Sequence, residues 1–230
     1  MIIDSQVHIW APETPDKPYA RENASKPHRQ VPLGHAELLR EMDGAGVARC
    51  VLVPPTWEDD RNDTALEAAR LHPDRFAVMG RLSLTRPESR GRVATWKQQQ
   101  HMLGVRMVFN RGQSADWLKD GTADWFWDAA ERYDIPVMAL APGDVPKLGE
   151  VAERHPGLRL IVDHMGLNSA LRGKPLAPSI GNLVKLARLK NVAVKVSALP
   201  CYVDEPYPFP SLHPLVDRVV DAVGPRRPFW

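Results

Sequence analysis

Residues 158–166 read LRLIVDHMG, an apolar run that ends in an acid, a histidine and a glycine. Short, β-branched at Ile161 and Val162, and closed by polar residues, the run predicts a buried strand with its reactive groups at the C-terminal end. Alternation then puts Leu160, Val162 and His164 on one face, and Ile161 and Asp163 on the other. The chain opens on a related pattern. In MIIDSQVHIW (1–10), Ile2, Ile3, Val7 and Ile9 give strand character, and Asp4, Gln6, His8 and Trp10 share one side. Five more runs follow the same habit: ARCVLVPP at 48–55, RFAVMGRL at 75–82, LGVRMVF at 103–109, IPVMALA at 135–141 and NVAVKVSAL at 191–199.

Between these runs lie HAELLREMDGAG, NDTALEAARLHP, TADWFWDAAERYD, VPKLGEVAERHPG and IGNLVKLARLK, whose apolar residues recur at three- and four-residue steps. Gly or Pro closes several of them, as a helix end requires. Strands about thirty residues apart, each followed by a helix, are the sequence form of βα units and a parallel sheet. Seven regular units and the start of an eighth favour an α/β fold of the (β/α)8 TIM-barrel type over an open doubly wound sheet, with residues 1–230 as one domain. After SLHPLVDRVVDAVG the sequence reads PRRPFW, so we expect the barrel to lack strand eight and any segment beyond it. An unpaired edge there would favour self-association into a homo-oligomer, and a partial chain of a longer protein is the reading that fits best.

Two stretches break the rhythm. APETPDKPYARENASKPHRQVP at 11–32 follows strand one, and PCYVDEPYPFPS at 200–211 follows strand seven. Both are too rich in proline for regular structure, and in a barrel both would overlie the C-terminal ends of the strands as a lid. Tyr202, in the second, is a candidate substrate contact.

The bulk properties exclude several classes. A hydrophobic fraction of 43% with 25% charged residues can build a core. A formal charge of +2, with Lys and Arg scattered, gives nucleic acid or a membrane surface little to hold. No signal-peptide pattern or membrane-length apolar stretch is present, which reads as cytoplasmic. Cys50 and Cys201 have no paired spacing and read as free thiols.

DSQVHIW, VRMVF, IVDHMG and VKVSAL, in this order on successive strands, resemble the amidohydrolase superfamily, specifically its amidohydrolase-2 branch of lactonases, pyrone-dicarboxylate hydrolases and aromatic-acid decarboxylases. That resemblance implies an H-x-H pair on strand one, a histidine on strand six and an aspartate on strand eight. His8 stands at the second position of the pair and His164 on strand six, while Gln6 replaces the first histidine. An amide oxygen is a poor zinc ligand beside an imidazole, and strand five offers no histidine, lysine or carboxylate. No metal and no cofactor are therefore expected, a weakly bound divalent ion at His8 and His164 being the exception left open.

The resemblance implies that Gln6, His8 and His164 hydrogen-bond the carbonyl oxygen of a lactone as it gains negative charge. Arg106, interrupting an apolar strand, would hold a substrate carboxylate, with Arg81 a second candidate; an ion pair with a neighbouring acid explains Arg106 equally well. Ser197 is a candidate substrate contact, and Lys195 an interior charge needing a carboxylate, with Asp4 as a candidate. His72 and His155 read as helix-end residues, Trp125 and Trp127 as helix packing. The expected function is metal-independent hydrolysis of a carboxylated lactone or related cyclic ester, with the general base unassigned. A metal-dependent aromatic-acid decarboxylase and a catalytically silent barrel are the alternatives.

Overall fold

Most of the β-branched and apolar runs become buried strands here, with a helix between each strand and the next. The structure is a computed structural model that describes residues 1–21 and 25–230. Residues 22–24, within the expected lid at 11–32, lie outside the described residues. The described residues form two compact units: 1–107 with 111–114, and 108–110 with 115–230.

The first unit carries β1 (Ile2–Val7), α1 (His35–Gly44), β2 (Val47–Leu52), α2 (Asp63–Leu71), β3 (Phe76–Gly80), α3 (Ser89–Ala94) and nearly all of β4 (Met102–Val108). β1 pairs with β2, β2 with β3 and β3 with β4, all parallel. Leu52, Val78 and Val105 have no exposed surface, and neither do Ala68 and Ala69 of α2. Helix α2 can lie close on the sheet because alanines make its inner face. His72 follows it and its N–H donates to the Ala68 carbonyl, so the histidine caps the helix end as the sequence predicts. One helix was not legible: α3 is only six residues, SRGRVA, too short and too polar to show a period.

The second unit carries α4 (Asp124–Arg132), β5 (Val137–Leu140), α5 (Val145–Arg154), β6 (Leu160–Val162), α6 (Ala177–Lys185), β7 (Val192–Lys195), α7 (His213–Val223) and β8 (Pro228–Phe229). Phe109, which continues β4, donates its N–H to the Leu140 carbonyl of β5. β5 pairs with β6, β6 with β7 and β7 with β8, again in parallel. Strand order follows chain order from β1 to β8, the arrangement of a (β/α)8 TIM-barrel-type α/β fold. Val137, Leu160, Val162 and Val194 are fully buried. Trp127 packs on Phe109 with ring centroids 5.8 Å apart, confirming it as helix packing.

The expected loss of strand eight is corrected. Pro228–Phe229 is a short β8 in register with Val194 and Lys195 of β7, and Val196 donates its N–H to the Phe229 carbonyl at 2.7 Å. Proline at its start is tolerated because a missing donor there breaks no ladder bond on the β7 side. Arg227, just before it, spends its guanidinium on four backbone carbonyls: Ala187, Leu189, Val192 and Val223. A two-residue strand is thus locked to the elements around it by a side chain that periodicity cannot reveal. Among the described residues, no helix is long and apolar enough to cross a membrane.

Candidate functional site

In the first unit the polar stripe of β1 is shaped by a register irregularity. Asp4 pairs with Cys50 and Val7 with Leu52, so three steps on β1 match two on β2, a bulge. Strict alternation fails there. The Gln6 N–H turns to Asp4 Oδ1 at 2.9 Å, while Asp4, Gln6 and His8 all stay half-buried. His8 is locked by β2: its Nδ1 lies 2.6 Å from the Val53 carbonyl, and Val53 donates back to the Val7 carbonyl at 2.9 Å. A carbonyl only accepts, so Nδ1 carries the hydrogen and the Nε2 of the neutral ring carries the lone pair.

Arg106 on β4 is 5% exposed. Arg81, just after β3, gives its Nε–H to the Asp59 carbonyl at 2.8 Å, and its backbone is held by Asn62, which accepts from Arg81 N and donates to Arg81 O. Arg81 Nη1 is buried and has no hydrogen-bond partner among the described residues. The nearby carboxylates pair with other arginines, Asp59 with Arg86 and Asp60 with Arg86 and Arg92, while still attracting Arg81 from a distance. Burial, then repulsion from Arg106, pushes the Arg81 guanidinium down to about 9, which leaves it charged at neutral pH. The sequence ranked Arg81 low because nothing in a linear pattern tells which acids its neighbours will take.

The segment after β1 is latched to the turn Thr56–Glu58 that follows β2. Ala20 donates to the Trp57 carbonyl, Ser25 to Thr56 Oγ1, and Ala11 to Glu58 Oε1. Trp10 meets Trp57 edge to face at 5.2 Å, and His28 closes against both rings. Trp10, Tyr19, Pro27, His28, Arg29 and Gln30 line a cleft of about 390 Å³ beside it. Glu58 is 3% exposed, and burial raises its pKa against the hydrogen bonds from Ala11 and Thr64 that lower it.

In the second unit, β6 stops at Val162 and the residues DHMG form a tight turn. His164 and Met165 have φ of 52° and 54°, and Gly166 has 69°. The expected alternation through His164 is therefore corrected: the strand has ended, and left-handed backbone redirects the imidazole. Asp163 is fully buried and lies 3.3 Å from the Nζ of Lys195, which is also fully buried and touches Met138 Sδ at 2.9 Å. Lys195 thus meets a carboxylate of its own unit. His164 Nδ1 lies 2.9 Å from Ser197 Oγ, a hydroxyl able to give or accept the hydrogen. Tyr202 is 3% exposed, and burial raises its phenol pKa, with Cys201 and Asp163 adding to the shift. Cys50 is a buried thiol pushed up to about 12, and Cys201 is exposed; both are free.

Sequence reasoning missed Asn110, whose Oδ1 is buried without a hydrogen-bond partner among the described residues, although a polar residue closing β4 was a signal. No group of three or more His, Cys, Asp or Glu side chains is gathered as a metal site among the described residues.

The family described as amidohydrolase, Amidohydro_2, matches residues 3–230. The chain is 28% identical over 234 residues to an L-fucono-1,5-lactonase of Burkholderia ambifaria, covering 99% of this chain and 78% of that protein. Among solved structures it is similar to an amidohydrolase of Burkholderia multivorans with bound zinc, at a TM-score of 0.79 and 22% identity, covering 99% of this chain and 82% of the other. It is also similar to a probable 2-pyrone-4,6-dicarboxylic acid hydrolase of Acinetobacter baumannii with citric acid bound, at a TM-score of 0.72 and 19% identity, covering 96% and 76%. A family match over nearly every residue, with strand order and fold in agreement, carries one conclusion: the chain belongs to the amidohydrolase-2 family of hydrolases.

Proposed function

We propose that this hydrolase opens a carboxylated lactone or related cyclic ester without a metal. The observation that carries the substrate class is the buried Nη1 of Arg81, partnerless among the described residues and close enough to Arg106 to feel its repulsion while the nearby acids are taken by Arg86 and Arg92. A buried guanidinium N–H without a partner is satisfied by an anion, and a planar carboxylate matches a guanidinium fork. The lactonase of Burkholderia ambifaria supports the ester, and the citric acid bound to the Acinetobacter protein supports the carboxylate.

The donor set fits a metal poorly. His8 Nε2 could bind one, but Gln6 stands where the family resemblance implies a second imidazole, and the gathered third ligand is lacking among the described residues. We therefore derive no step through a metal. His8, with Nδ1–H committed to Val53, takes a proton through Nε2 from the attacking water as its oxygen bonds to the ester carbonyl carbon. This amends the expectation that both histidines donate to the oxyanion. Gln6 donates to the carbonyl oxygen, the ring C–O bond breaks, and the proton returns to the departing alkoxide, His164 being carried over as a donor from the family resemblance alone.

The test pairs a carboxylated lactone with an uncharged aldonolactone, using protein stripped by a chelator and checked for metal content. We expect hydrolysis to persist, with kcat/KM at least about tenfold higher for the carboxylated substrate, and Arg106→Ala to raise its KM by a similar factor. Carbon dioxide release, no lactone opening, or activity that disappears with the metal and returns with zinc would overturn the reading.

A further inference from the structure

His164, Met165 and Gly166 form three successive left-handed residues, two of them bearing side chains that disfavour this backbone. Such a turn persists only where its surroundings over-determine it. The end of β7 does so. Lys195 reaches Asp163 at 3.3 Å, Ser197 reaches His164 at 2.9 Å, and one residue separates the two grips. Lys195 is further seated on Met138 of β5. A charge pair with no exposed surface is an expensive way to fill a core, since apolar residues of the same volume serve stability equally well. What the pair adds is a fixed geometry for the turn, with the ring of His164 as its next residue.

We propose that Lys195 and Ser197 are positioning residues for His164: Lys195 fixes the carboxylate that starts the turn, and Ser197 fixes the ring and its hydrogen. This rests on the reading of His164 as a group that meets substrate. The chemistry differs from that at His8, where a carbonyl leaves one arrangement. At His164 the hydroxyl permits Nε2 to bear a hydrogen, which an oxyanion donor needs. Without the serine oxygen, the ring loses its Nδ1 partner. Without the lysine, Asp163 loses the cation at 3.3 Å, and the turn loses one of its holds.

The experiment uses the full chain labelled with 15N-histidine, with the His164 ring signals assigned by their loss in His164→Gln and read at one fixed pH. Ser197→Ala, Lys195→Arg and the charge-free double variant Lys195→Met/Asp163→Asn are compared with wild type. The double variant avoids stranding Asp163, and Ser197→Ala, which removes one oxygen, decides the matter should the double variant not fold. We expect folded variants whose His164 Nδ1 and Nε2 shifts differ clearly from wild type. On a lactone that the wild type hydrolyses, kcat should fall about tenfold or more while KM stays within about twofold. Ring shifts and kcat unchanged in both Ser197→Ala and the folded double variant overturn the proposal. Full activity in His164→Gln overturns the functional reading instead, and the ring shifts still decide whether β7 positions the histidine.

Discussion

His8 and His164 show how far a residue can be read from a string of letters. Their places at strand ends were legible, because an imidazole after an apolar run has few bland explanations when it recurs on two strands. What holds each ring was not. The Val53 carbonyl is 45 positions from His8, and the left-handed turn at 164–166 depends on space that no local pattern encodes. Gly166 makes this concrete: a Cβ there would lie 2.3 Å from Val145 Cγ2, in a backbone region that L residues avoid. Overlap and strained φ together cost about 3 kcal/mol. Gly166→Ala should therefore shift the urea midpoint downward by about 1–2 M at an ordinary slope, a change that equilibrium denaturation reads directly.

At the scale of elements, the parallel strands and most helices follow from period and punctuation. The exceptions are short pieces: α3, with six polar-rich residues, and β8, with two. The bulge in β1 escaped too, since an extra residue in a strand leaves its composition unchanged. The described residues of 11–32 are irregular, as read, but their three-point latch onto Thr56–Glu58 depends on backbone donors, which every sequence has. Glu58 gives the latch a pH signature. Its folded pKa is raised above the ordinary 4.5, so the folded state favours the protonated form, and that stability is fully present below pH 4.5 and lost as pH rises through the raised value. Glu58→Gln should accordingly melt higher than wild type at pH 7, with the advantage closing as pH falls below 4.5. Thermal unfolding followed by circular dichroism across that range checks it; a variant less stable than wild type at pH 7 contradicts it.

For the molecule as a whole, the βα rhythm announced the (β/α)8 class and the four strand motifs announced the family, since both properties repeat along the chain. The surroundings of Arg81 and Arg106 were less legible, because which acids and carbonyls meet each arginine is settled only after folding. The last strand has a wider reach than its size suggests. The carbonyls of Arg227 and Phe229 receive the N–H groups of Val194 and Val196, which flank Lys195. Deleting residues 228–230 should speed deuterium exchange at Val196 by about tenfold or more while leaving the amides of β2 unaffected, which exchange followed by mass spectrometry can resolve. Any purification tag, fusion partner or further polypeptide joined at Trp230 therefore begins one hydrogen-bonded ladder away from the lysine paired with Asp163, and a change made at that junction can be felt at the turn.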